Sequence, residues 1–196
     1  MDRIHRMSRG RKTLLSLLLV GAVAAVAGIG TFSAFSATTS NTGNTFDSGT
    51  VAISDNDAGA AMYNVANAKP GDGAQSCIQV TYTGSLPAAV HLYASAVGAI
   101  GQYVNLTIEK GTGMGPFPSC TGFSAQGGPI YSGTLGNFAS SSTDFASGVS
   151  TNPGAASNWV QNDALVYRFT LTLQDNPAAV GLTSGAHSFT WEAQNI

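Results

Sequence analysis

Three histidines, two cysteines and ten carboxylates are the groups in this 196-residue chain best suited to chemistry. A metal-dependent hydrolase of the helical type needs two His one turn apart with a Glu as general base, written His-Glu-x-x-His. His5, His91 and His187 are far apart, and none is followed by Glu. A catalytic zinc also needs about three protein ligands. His91 lies in the alternating string Val90-His91-Leu92-Tyr93, and His187 opens the last alternating segment. Asp55-Asn56-Asp57-Ala58-Gly59 has the acid spacing of a calcium loop, but position twelve counted from Asp55 is Ala66, not a bidentate Glu. A polar turn is the simpler reading. No Gly-x-Ser-x-Gly elbow presents a nucleophile, and the glycine-rich Gly111–Gly115 has no Lys at phosphate-loop spacing. Asn105-Leu106-Thr107 is a glycosylation sequon inside a strand pattern. The residues therefore predict no catalytic, cofactor-binding or metal-binding set.

Cys77 and Cys120 are the chemically suggestive pair. In an oxidising exterior two cysteines are most simply a disulfide, closing a loop of roughly 44 residues worth about 4 kcal/mol in the chain-entropy model. Two free thiols and a metal pair are the competing readings. A bridge pins the Gly/Pro-rich loop Gly111–Gly122 to the start of a predicted strand.

The elements that must position these groups are strands. Ile78, Val80 and Tyr82 alternate with polar neighbours. So do Val104, Leu106 and Ile108, then Tyr167, Phe169, Leu171 and Leu173, then Phe189, Trp191 and Ala193. Period two marks half-buried strands. Shorter candidates are Gly49–Ser54, Ala61–Val65, Ala88–Ala96 and Pro129–Thr134; residues 136–163 fit either a long loop or a short helix. Lys69-Pro70-Gly71-Asp72-Gly73 is a turn, because Pro fixes φ and Gly accepts a positive one. About eight short strands with turn clusters between them predict an all-β, antiparallel β-sandwich or barrel.

The first 33 residues read differently. Arg3, Arg6, Arg9, Arg11 and Lys12 precede an uncharged run of 17 residues, Leu14–Gly30. This is the layout of an export signal, with an uncleaved membrane anchor as the alternative. Small residues favour cleavage between Ser33 and Ala34, and next between Ser36 and Ala37. The expected organisation is a signal helix over residues 1–33 and one sandwich domain over 34–196, led by an extended segment, 34–46. From residue 34 onward three basic and nine acidic side chains remain. That balance excludes a phosphate-neutralising role, so no nucleic-acid partner is expected.

One ordered set of motifs is more specific. Gly30-Thr31-Phe32-Ser33-Ala34-Phe35 precedes Phe46-Asp47-Ser48-Gly49-Thr50-Val51. Asn64–Lys69 then leads into Pro70-Gly71-Asp72, followed by Ile78–Tyr82 and Gly84-Ser85-Leu86. The chain closes on Ser188-Phe189-Thr190-Trp191-Glu192-Ala193-Gln194. This order resembles the TasA/camelysin (CalY) family of exported bacterial proteins, whose signals are cut by the SipW type of signal peptidase. Ala68 stands where the family usually has Leu, and residues 98–163 do not align. The cysteine pair is not a general family feature.

The resemblance implies a jelly-roll or immunoglobulin-like sandwich and a structural role, secreted or at the cell surface, as a biofilm-matrix fibre subunit. It implies a head-to-tail polymer of the chain with itself, other matrix or cell-surface components as further partners, and donor-strand exchange through the N-terminal segment. In that role Ala34 to Phe46 is the donor segment, with Phe35 as its one large apolar anchor; an unstructured stub after cleavage is the alternative. Camelysin's classification as a metalloendopeptidase gives the alternative. A monomeric surface module binding a ligand such as a sugar is the third reading, with Trp159, Trp191, Tyr93 and Tyr103 as candidate stacking residues.

Overall fold

A computed structural model describes residues 10, 13–14, 17–19, 47–153 and 158–196. The chain divides into two units, residues 1–46 and 47–196. In the first, the described residues are helical and exposed, and the Thr13 hydroxyl donates to the Gly10 carbonyl at 2.9 Å. Among the described residues no helix is long and apolar enough to cross a membrane.

The second unit is all-β, built from two antiparallel sheets. Its strands are β1 (Ile53–Asp55), β2 (Gly73–Tyr82), β3 (Ala88–Ala94), β4 (Val104–Thr112), β5 (Ser124–Ala125), β6 (Tyr131–Thr134), β7 (Val149–Ser150), β8 (Ala164–Leu173) and β9 (Phe189–Asn195). The larger sheet runs β1-β2-β8-β4-β5, with β6 also on β4. The smaller runs β7-β3-β9. Each long strand carries one of the alternating patterns, and the apolar set of each points between the sheets. The buried core takes Ile78, Val80 and Tyr82 from β2, and Leu106 and Ile108 from β4. β8 adds Leu165, Tyr167, Phe169 and Leu171, and β3 adds Ala88, Val90, Leu92 and Ala94. Phe189, Trp191 and Ala193 of β9 pack against this core but stay half-exposed.

Several local signals act as their chemistry requires. Gly71 has φ +88°, and the Asp72 amide donates to the Lys69 carbonyl at 2.9 Å, which closes the Pro-Gly turn. The fully buried Tyr82 donates its hydroxyl to the Leu86 carbonyl, pinning the chain where it crosses from one sheet to the other. At Asp55–Gly59 the turn is an Asx type: Asp57 Oδ1 accepts from the Gly59 amide at 2.6 Å.

Some boundaries differ from the sequence expectation. Within Gly49–Ser54 only Ile53 and Ser54 are in a strand, and Ala61–Val65 forms none. Residues 62 and 63 instead use their groups on side-chain partners, as described below. The ambiguous stretch contains a helix, α1 (Leu135–Ser141), and β7. Thr134 caps the helix by accepting from the Asn137 amide at 3.2 Å, and Leu135, Phe138 and Ala139 are its buried face. Such a short helix leaves too few turns for a periodic signal. Trp159 is fully buried, its backbone bridges to Ala88, and its indole donates to the Thr151 carbonyl. That burial removes it as a sugar-stacking residue.

Trp159→Ala is expected to cost about 3–5 kcal/mol, as a large buried ring is lost and a cavity left. Urea denaturation of the mature protein checks this value; a loss under about 1 kcal/mol contradicts the packing.

Candidate functional site

The groups singled out for chemistry are engaged in structure. His91 sits in β3 opposite Glu192 of β9. Its ring stacks on Phe145 at 4.2 Å, and Nδ1 lies 2.6 Å from the Phe145 carbonyl. Glu192 accepts from the Tyr93 hydroxyl at 2.9 Å. The Phe145 loop is held by Asp144, which accepts from the amide and hydroxyl of Ser147. These bonds keep the Asp144 carboxyl below its ordinary pKa. His187 Nε2 lies 2.5 Å from the Tyr63 hydroxyl, and its Nδ1 lies 3.2 Å from the Gly185 carbonyl. Burial pushes the Tyr63 pKa above its ordinary range, so this phenol keeps its proton beside the His187 ring. Among the described residues no cluster of three or more His, Cys, Asp and Glu could hold a metal ion. His91 packs on Phe145, and His187 lies between Tyr63 and the Gly185 carbonyl. Tyr93 spends its hydroxyl on Glu192, and Trp191 packs between Tyr167 and Phe169 at centroid distances of 5.1 and 6.0 Å.

Cys77 and Cys120 form a disulfide with Cα atoms 5.1 Å apart. Cys77 lies in β2 with its side chain on the outer face of the larger sheet, beside Arg168 in the strand register. Arg168 pairs with Glu109 at 2.6 Å and stacks over Phe123, its guanidinium carbon 4.5 Å from the ring centroid. The connection between β4 and β5, residues 113–123, thus folds back across β8 to reach β2.

What remains for intermolecular chemistry is the backbone at strand edges. The Ser95 amide donates to the Ser188 carbonyl, which fixes the phase of the β3–β9 ladder. Even-numbered residues of β9 turn their N–H and C=O groups to β3; Phe189, Trp191, Ala193 and Asn195 turn theirs outward. Among the described residues no hydrogen bond reaches those outward groups. Two side-chain bonds partly strap the near end of this edge. The Ser76 hydroxyl donates to the Met62 carbonyl at 2.6 Å, and Tyr63 holds His187. Residues 62–63 therefore join β2 to the segment entering β9, while the strand beyond Trp191 has no such strap. Alternation placed β9 as a strand, but no signal in its residues marked it as an edge. Tyr63 likewise escaped notice, since its partner is 124 positions away.

Ser33 and Ala34 of the expected cleavage site, and Ala34, Phe35 and Phe46 of the expected donor strand, lie outside the described residues. Comparison with known proteins bears on the same N-terminal half. No curated protein matches the chain. Residues 12–97 match the family model of the camelysin metallo-endopeptidases, a stretch that covers less than half of the chain and includes β1, β2 and β3. The matched stretch holds the junction, Pro-Gly-Asp and Gly-Ser-Leu motifs that carry the resemblance, and over these residues the chain is similar to the camelysin family.

Proposed function

We propose that this chain is exported and acts outside the cytoplasm, at the cell surface or beyond it, as a structural subunit that associates with copies of itself by strand addition. The observation that carries the reading is the open edge of β9, whose outward N–H and C=O groups at Trp191, Ala193 and Asn195 have no partner among the described residues. An extended peptide laid there would satisfy these groups in turn and lengthen the three-stranded sheet. The segment 34–46 of a neighbouring copy is the occupant we assign. It is polar, carries Phe35 and Phe46 as apolar residues, and follows the expected cut between Ser33 and Ala34. Addition of one copy's leading segment to the next copy's β9 is heterologous, so it builds an open filament of the biofilm-matrix type rather than a closed ring. A SipW-type signal peptidase is the processing partner this reading requires.

The family's printed description also names a metallo-endopeptidase. A catalytic metal requires a ligand set that the described residues do not supply: both cysteines are bridged, and the nitrogens of His187 face the Tyr63 hydroxyl and the Gly185 carbonyl. We derive no hydrolytic step.

Deleting Ala34–Asn44 from the mature chain should abolish polymers seen by electron microscopy and sedimentation while leaving the melting transition in place. Ala193→Pro removes an outward N–H that makes no bond to β3, so an edge strand tolerates it. This variant should fold and fail to polymerise. Polymers that persist in both variants overturn the proposal. N-terminal sequencing of the exported protein should begin at Ala34.

A further inference from the structure

The opposite fate befalls the edge of β2. Odd-numbered residues of this strand turn away from β8, and β1 covers only its last three residues. The Thr83 amide, just past the strand, donates to the Ala52 carbonyl at 2.9 Å. Beyond the reach of β1 the covering is improvised. The Gln79 amide donates to the side-chain Oδ1 of Asn56 at 2.9 Å. The Cys77 amide donates to the carbonyl of Pro118 at 2.9 Å. Both caps depend on residues 113–123. Pro118 belongs to that connection and lies two positions before Cys120, which is bonded to Cys77 itself. Asn56 is in turn steadied by Met114, whose sulfur accepts from Asn56 Nδ2 at 3.4 Å. Phe123 anchors the connection on Arg168 at the far side.

We infer that residues 113–123 form an edge guard: the Cys77–Cys120 bridge holds a flap whose Pro118 carbonyl and Met114-supported Asn56 side chain close the middle of the β2 edge, at Cys77 and Gln79, against pairing with a second copy of this chain. An unguarded strand edge is a template for pairing with another chain, and proteins cover or blunt such edges. A Pro carbonyl suits this task. It accepts the Cys77 proton while its own residue has no N–H to offer an incoming strand. The bridge places that carbonyl beside one particular amide, which a flexible Gly/Pro-rich loop could not do unaided. The inference concerns β2 alone and stands whichever edge the native polymer uses.

The test uses the mature chain lacking Ala34–Asn44, so that association through the N-terminal segment cannot contribute. Two variants are compared with this parent by amide hydrogen exchange and by sedimentation over a range of concentrations. In the double variant Cys77→Ser/Cys120→Ser, the amides at positions 77 and 79 should exchange at least tenfold faster. Those of Ile78 and Val80, which face β8, should remain protected and so report an intact sheet. The variant should also form oligomers that the parent does not. Asn56→Ala keeps the disulfide and should accelerate Gln79 alone, which preserves the test if the serine variant does not fold. Unchanged exchange at Gln79 in Asn56→Ala overturns the guard. So does a serine variant with fast amides at 77 and 79 that stays monomeric at every concentration.

Discussion

An open β-sheet ends in backbone donors and acceptors that must find partners, and two stacked open sheets present four such borders. In water a bare border is satisfied by solvent, but it then invites any extended chain that can replace that solvent cooperatively. At β2 a short strand, an Asn side chain and a Pro carbonyl take the outward amides of Thr81, Gln79 and Cys77 in turn. At β3 the border is taken by β7, by the Ser142 carbonyl and by the bridge to Trp159. At β9 the described residues supply the contacts around Met62 and Tyr63.

The core explains why β9 can be left this way. Six strands face three, so the smaller sheet cannot cover the larger one with strands alone. α1 and Trp159 fill part of the space with fully buried rings, Phe138 and the indole itself. On the other side Phe189 and Trp191 lean on Tyr167 and Phe169, the central residues of β8. Their aromatic area holds β9 in place through one flank, so the strand needs no second ladder to remain folded. A strand secured by its side chains and free along its backbone is suited to accept another.

The family description and the residues present pull in different directions. The matched stretch carries the word metallo-endopeptidase, yet its described polar side chains are spent on turns, caps and hydrogen bonds to loops. Similarity to a family over part of the chain does not carry the family's chemistry, which has to be read from the site. In the strand-addition reading proposed above, the site is a line of main-chain groups, which side-chain motifs do not report.

The alternation of Ile78, Val80 and Tyr82, and of Tyr167 through Leu171, was enough to define strands and their buried faces, because a period-two pattern has only one way to hide its apolar set. Pro70-Gly71 marked its turn for an equally local reason, since the Pro ring fixes its own φ and Gly71 accepts φ +88° without a Cβ clash. The distant contacts were not legible. Nothing near Asn56 announces Gln79, nothing near Pro118 announces the Cys77 amide, and Tyr63 gives no sign of His187. Whether a strand lies in the middle of a sheet or at its border depends on which other strands come to lie beside it. That order is settled by long-range packing, so the sequence alone determined the strands and their faces, and only the tertiary structure decided that the outward amides of Cys77 and Gln79 are capped while, among the described residues, those of Trp191 and Ala193 are not.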